Sequence, residues 1–572
     1  MKKRIIFPLA GTAAAAAVAI TAATLIAPAS ADVENAAVAT SDKPVTHDQN
    51  DRVPEGASWT QHYFPSSDGS DVELHADVLL PADLPEGEQV PVILSAGAYF
   101  GHAGQLGVED WAHTGPSDRF HDFIEGTDLF DEGYAFVMVD TRGFGGSTGC
   151  LDTSGPGDQA DVKAAIDWAA EQPWSTGAVG MYGKSWDAIT GLLGNNLKQD
   201  NLKAVVAQEP IWDLQRNIRS NGVPRTTVVN VFNTYNGIAT MPQMEDDDPR
   251  YLENAKWEES NPECIVEQMF GYQNADPESE YWKARDYAAN AKGTDTPLLF
   301  TQGFLEWNTE PEAMQEFLTN HEGPQRGWLG QWDHVRGNDT VEDGRLAMGR
   351  EGWFDETMSF YDQYLKDIEP SVEYPNFAVQ DSNGTWRAEE TWPAVDNSAT
   401  IALEGGSYTD DGAEAGVTEE NAFTTWSEPL EQDTRVTGTP RISLDVEGHG
   451  TTQIKMYDVA PDGTAVMFDE QAALLKAGSN SFELKSTDWT IPAGHSLAVE
   501  VGTIQPGGDW LKTPSHETIT IHGAELELAV NDPAGDDGLP GEPAPYLETY
   551  LAAYTSERPI GTPSFTVPSP QG

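Results

Sequence analysis

Basic residues are scarce in this sequence: 32 Lys and Arg stand against 93 Asp and Glu, for a formal net charge of -61. A surface so negative argues against nucleic acid or an anionic membrane as partner. The acids are spread along the chain and interleaved with Trp, Tyr and Gly, the pattern of a solvated acidic shell on a folded protein and not of a disordered tail. Cysteine is scarcer still. Two in 572 residues, Cys150 and Cys264, are too few for a disulfide scaffold or a cysteine zinc site. Beyond the N-terminus no stretch is long and apolar enough to span a bilayer. Neither a phosphate-cradling loop nor a metal-ligand cluster is visible, so no cofactor and no metal are expected. In "DHVRGND" a single histidine beside scattered acids reads as an ordinary loop.

What is present begins with an export signal. "MKKR" is a basic n-region, an alanine-rich apolar run follows from Ile5 to Ala27, and Ala29-Ser30-Ala31 is an A-x-A cleavage site. Residues 1–31 are therefore expected to be a signal peptide, with an uncleaved anchor as the alternative, and 32–55 an acidic flexible leader. Cleavage leaves a secreted protein with no membrane attachment. From about 56 to 369 strands alternate with helices. "VPVILSAG" and "GYAFVMVD" are short apolar runs of the kind a strand buried on both faces shows, and "DQADVKAAIDWAAEQ" has apolar residues at helical spacing. This order predicts a doubly wound, mostly parallel sheet that binds its ligand at the carboxyl ends of its strands. Residues 212–292 break the alternation with a polar, aromatic-rich segment, where an inserted helical lid would go. From 370 to 554 segments such as "TPRISLDVEG" and "ETITIHGAELELAV" alternate in and out between Gly, Asp and Pro turns, predicting a β-sandwich of jelly-roll type. The tail, 555–572, is Pro/Ser-rich and reads as irregular.

The chemistry starts at "VGMYGKSWDAITG". A serine, Ser185, follows a strand and opens a helix, with Gly183 two residues before it. Glycine-x-serine alone is weak and is satisfied by a tight turn with a capping serine; at a strand-to-helix junction it becomes a nucleophile elbow. A serine hydroxyl needs a base. Of the six histidines after Ser185, four lie in the β region and His321 ends a helix, where it reads as a C-terminal cap. His334 alone follows a sheet strand, "RGWLGQW". The acid that orients it should follow the preceding strand, and "TPLLFTQGFLEWN" offers Glu306. Asp295 lies before that strand and Asp333 would have to fold back on its neighbour. Glu310 and Glu312 read as first-turn helix acids. For the oxyanion, the backbone N–H of Trp186 is one donor and the hydroxyl of Tyr99, in the loop after "VPVILSAG", is the other, unless Tyr99 is a wall residue. Glu209 ends the strand "LKAVVAQEP" and is the candidate anchor for a substrate ammonium, the alternative being a structural ion pair with Arg216 or Arg219 or a helix cap. Cys150 follows the "GGSTG" loop and Cys264 falls in the lid; in an exported protein they are expected to pair and staple the lid beside the site.

These motifs together resemble the α/β-hydrolase family of Xaa-Pro dipeptidyl-peptidases, cocaine esterase and related acyl hydrolases. The resemblance rests on "VDTRGFGGSTG", "GMYGKSW", "TQGFLEWN", "GQWDHVR" and "FYDQYLK", with "VQDSNGTWRAEETWP" as the entry to a C-terminal domain, and it covers nearly the whole expected mature chain. It implies Ser185 as nucleophile, His334 as base, Tyr99 and Trp186 as oxyanion donors, a helical lid and a jelly-roll domain. Two positions depart from the family: Glu306 stands where Asp is usual, and Ala188 where glycine is usual. The resemblance implies a serine exopeptidase acting on peptides, or an esterase or amidase acting on small acyl compounds. A non-catalytic polymer-binding protein is the remote alternative, which an intact Ser185, Glu306 and His334 count against.

Overall fold

A computed structural model describes residues 45–46, 52–511 and 513–571. The expected signal segment, 1–31, and most of the leader, 32–55, lie outside the described residues. The first eleven sheet strands in chain order include a small hairpin. They are β1 (Val45–Thr46), β2 (Ala57–Pro65), β3 (Glu73–Pro81), β4 (Val90–Gly97), β5 (Ala135–Asp140), β6 (Ser175–Lys184) and β7 (Leu202–Gln208). After the hairpin β8 (Arg219–Ser220) and β9 (Val223–Pro224) come β10 (Leu298–Gly303) and β11 (Gln325–Gly330). A large mixed sheet runs in the order β1-β2-β3-β5-β4-β6-β7-β10-β11, and from β5 to β11 neighbouring strands are parallel. β4 and β5 are buried at every position, as their unbroken apolar runs require of strands covered on both faces.

Helices α1 (His121–Gly126), α2 (Pro156–Ala170) and α3 (Trp186–Leu197) cover the sheet. Leu94, Val137 and Met181 pack with Ile166 and Leu192 of α2 and α3 in one core. Their sequence neighbours Ile93, Phe136 and Tyr182 turn to the other face, against Phe123 of α1 and Phe360. Between β7 and β10 the chain leaves the sheet for a mainly helical insertion, beginning with α4 (Leu214–Ile218) and α5 (Thr227–Ala239) and including the helix Glu263–Tyr272.

The chain does not leave the large sheet at 370. β12 (Phe377–Gln380) pairs in parallel with β11, β13 (Trp386–Glu389) turns back on it, and Asp537–Leu539 returns to close that edge. "FAVQ" is fully buried but only four residues long, too short for its period to show which sheet it joins. Beyond it, a seven-stranded and a five-stranded sheet share one core, with Ile442, Leu444 and Leu526 from one sheet meeting Ile454, Met456 and Val499 from the other. Phe565 and Val567 of the tail are buried in that core. The two parts of the chain are laced together: Asn221, in the β8–β9 hairpin, donates to the Ala472 carbonyl at 3.1 Å, and Thr226 N, just before α5, bonds the Asp509 carbonyl. Among the described residues no helix is long and apolar enough to cross a membrane.

Candidate active site

Tyr99, Ser185, Glu209, Glu306 and His334 each come just after a strand, at the carboxyl edge of the parallel sheet. Ser185 sits between β6 and α3 with φ 65° and ψ -121°. That is a left-handed backbone for a non-glycine residue, the strained turn that lifts a side chain off a sheet edge. Gly183 is there because α3 crosses directly over it: a Cβ at 183 would lie 2.3 Å from the Asp187 carbonyl. Ala188 is fully buried, so its small side chain suits the same close approach. Trp186 is the first residue of α3, where a backbone N–H has no intrahelical partner.

His334 follows β11 by four residues and is half-buried. Its Nδ1 lies 3.0 Å from Oε2 of Glu306, three residues past β10 and fully buried. The other oxygen, Oε1, accepts the backbone N–H groups of Asn308 at 2.6 Å and Thr309 at 3.0 Å. The Thr309 hydroxyl donates to Oε2. Burial alone would raise this carboxyl. The His334 charge and the hydrogen bonds from His334 and Thr309 outweigh it and hold the group down at about 2. Glu306 is thus an ionised acceptor of the imidazole N–H. Asp333 instead accepts from Trp307 Nε1 at 3.3 Å. The base loop is tied back to the elbow, since Lys184 Nζ donates to the His334 carbonyl at 3.2 Å and Gln208 Oε1 accepts from Gly337 N at 2.9 Å. Burial, and then the charges of Arg119 and Arg336, lower Lys184 to about 8.

Tyr99 is buried, two residues past β4. Its surroundings were not legible in the sequence. Tyr235 of α5 places its hydroxyl 2.5 Å from that of Tyr99 and its ring 4.0 Å from Trp186. Arg119 lies 3.9 Å over the Tyr99 ring, pairs with Asp187 and donates to the Lys184 carbonyl at 2.9 Å. The insertion therefore reaches the residues expected to receive an oxyanion. Cys150 and Cys264 are disulfide-bonded across 114 residues, joining the loop after β5 to the insertion. Arg142 pairs with Asp161 and Asp68.

Glu209 does not occupy the place expected of an ammonium anchor. Its φ of 48° turns the side chain inward, and the residue is fully buried. Oε1 accepts from Trp332 Nε1 at 2.9 Å and the Thr301 hydroxyl at 3.1 Å; Oε2 accepts from Gly303 N at 3.0 Å and Gln302 Nε2 at 3.3 Å. It pairs with neither Arg216 nor Arg219. Burial, and then the charge of Glu306, push it up to about 8 against those four donors. Glu310 and Glu312 precede the helix Met314–Asn320 and are also buried, Glu310 against Arg225 at 3.2 Å and Lys485 at 3.6 Å. His321 is the C-terminal cap of that helix.

A mixed sheet with covering helices, additional β sheets and a serine raised at a strand-to-helix turn defines the α/β-hydrolase class. Residues 68–336, which contain Ser185, Glu306 and His334, match the family model described as X-Pro dipeptidyl-peptidase (S15 family). A putative Xaa-Pro dipeptidyl-peptidase of Streptomyces avermitilis is 25% identical over 380 residues, covering 61% of this chain and 51% of that protein. The cocaine esterase of Rhodococcus sp. is 23% identical over 338 residues, covering 51% and 56%. The chain thus spans about half the length of these relatives. A solved aminopeptidase from a marine sediment Thaumarchaeota archaeon shares the fold with a TM-score of 0.61 at 17% identity, over 86% of this chain and 99% of that one.

Proposed function

We propose that the protein is a secreted serine hydrolase that releases short N-terminal units from peptides through an acyl-enzyme, as its Xaa-Pro dipeptidyl-peptidase relatives are named for. The observation that carries the reading is the strained Ser185 elbow on the same sheet edge as the Glu306–His334 pair. With Nδ1 committed to Glu306, Nε2 is the nitrogen that takes the Ser185 proton as Oγ attacks the carbonyl carbon, and the same nitrogen returns it to the leaving amine. The ionised Glu306 fixes the tautomer and stabilises the imidazolium. The Tyr99 hydroxyl and the Trp186 N–H receive the oxyanion. Water then repeats the cycle on the acyl-enzyme. In this reading residues 1–31 are removed on export, the helical insertion is the lid over the acyl site, and the C-terminal β region is a jelly roll.

The burial of Glu209 favours a second reading. The carboxylate expected to bind a free amine is enclosed, and small neutral acyl esters or amides need no such anchor. Turnover of Xaa-Pro chromogenic dipeptides, their N-blocked forms, tripeptide amides and short acyl esters separates the two. A peptidase prefers free amines; equal cleavage of blocked and free peptides assigns the enzyme to the acyl-hydrolase class.

A further inference from the structure

Away from Ser185, at the β2–β3 side of the sheet, His75, Asp77 and His102 bring one ligand atom each within 4.8 Å of the others. All three are buried, as is Gln61 beside them. Each imidazole is oriented in the same way. The Nδ1 of His75 lies 2.9 Å from Asp140 Oδ2, and the Nδ1 of His102 lies 2.7 Å from Asp247 Oδ2. The Nε2 atoms both turn inward. There the contacts are longer: His102 Nε2 is 3.1 Å and 3.3 Å from the Asp77 oxygens, and His75 Nε2 is 3.8 Å from Asp77 Oδ1 and 3.2 Å from Gln61 Oε1.

We propose that this cluster is a structural site for a divalent transition ion of the zinc class, held by His75 Nε2, His102 Nε2, Asp77 Oδ2 and Gln61 Oε1. Bonds of about 2.0–2.1 Å in a tetrahedron set neighbouring ligand atoms roughly 3.3–3.4 Å apart, near the 3.1 Å from His102 Nε2 to Asp77 Oδ2 and the 3.2 Å from His75 Nε2 to Gln61 Oε1. Histidines that bind a metal through one nitrogen commonly give the other N–H to a carboxylate, which fixes the ring and raises its basicity. Both rings here have that partner. Asp77 Oδ1 is engaged by Trp59 Nε1 at 2.7 Å, and Oδ2 faces His102 Nε2 at 3.1 Å. The orientation of His102 is further set by Tyr251, stacked on its ring at 4.1 Å and 9°. Imidazole and carboxylate donors suit zinc, and a fully enclosed set has no open position for a substrate or an activated water. The ion would join β2 and β3 to the loop after β4, three residues beyond Tyr99, with Asp247 of the insertion buttressing it.

Metal analysis of tag-free, full-length protein produced with supplemented zinc tests this. About one zinc per chain is expected to survive gel filtration. Chelation should lower the thermal midpoint by several degrees and added zinc should restore it. Cobalt(II) exchanged into the wild type should give intense visible bands of a four-coordinate N/O site. His75→Gln and His102→Gln should each lose the zinc while Ser185 still reacts with a fluorophosphonate. Should either variant fail to fold, the wild-type zinc content and cobalt spectrum decide alone. Wild-type protein with less than about a tenth of an equivalent of zinc, no shift of midpoint with added metal and no cobalt bands overturns the proposal. The cluster would then be held by hydrogen bonds alone.

Discussion

Replacing Glu209 by glutamine tests what a buried carboxyl beside the acid loop is for. Its two oxygens serve four donors, and two of these are fixed N–H groups: Gly303 N on Oε2 and Trp332 Nε1 on Oε1. An amide has one oxygen. Whichever way it is turned, its NH2 faces one of those N–H groups, and that donor is left buried without an acceptor, at a cost of ~1–3 kcal/mol. The loss should depend on pH. Burial and the Glu306 charge raise Glu209 to about 8, so the folded chain keeps a proton there that the unfolded chain releases near pH ~4.3. A group raised on folding contributes its stability fully below the unfolded value and loses it as pH rises through the folded one. The wild type should therefore weaken between about pH 4.3 and pH 8, by at most ~1.4 kcal/mol per unit from this group, and the glutamine variant should not. Urea unfolding followed by tryptophan fluorescence at pH 5, 6.5 and 8 should show the wild type's advantage greatest at pH 5 and lost or reversed by pH 8. Because Gly303 and Trp332 flank the loops of Glu306 and His334, turnover of esters and of free-amine peptides should fall together. Unchanged stability, with a loss confined to free-amine substrates, would refute this and return Glu209 to the role of ammonium anchor.

Four further outcomes are expected. Ser185→Ala should stay folded and lose turnover on the order of 1,000-fold or more, with a fluorophosphonate labelling Ser185 in the wild type; label on another serine counts against the elbow. Glu306→Asp should keep partial activity and Glu306→Gln should lose much more, since an amide does not stabilise an imidazolium; equal activity of the glutamine variant and wild type would hand the role to Asp333. Tyr235→Phe removes the hydroxyl 2.5 Å from that of Tyr99 and should lower kcat about tenfold with KM unchanged, whereas an unaltered kcat would make Tyr235 a wall residue. Replacing both Cys150 and Cys264 by serine opens a loop of 114 residues and should lower stability by up to ~4.7 kcal/mol in the chain-entropy view; a calorimetric midpoint equal to wild type argues that the bridge carries no stability.

The order of elements determined much of the site in advance. Apolar runs of strand length, alternating with helical periods, require a parallel sheet, and a parallel sheet sends every βα loop to one edge. Ser185, Glu306 and His334 could be picked because each follows its own strand, and Gly183 because only glycine lets α3 pass so close to β6. Position at a strand end says which edge a residue reaches, but not where its side chain points there. Glu209 and Glu306 both come just after parallel strands, yet a φ of 48° turns the first under the edge, where it braces the loops the second depends on. Thr309, Arg119 and Tyr235 were equally hidden, because what matters in each is a contact with a segment distant in sequence or a geometry that periodicity does not encode. The same holds for His75, Asp77 and His102, which no short ligand spacing connects and which share a place because β3 and the loop after β4 meet at one side of the sheet. Hydrophobic period is local and is written along the chain. Convergence of side chains across strands depends on register, loop path and backbone twist, and these are decided when the sheet closes.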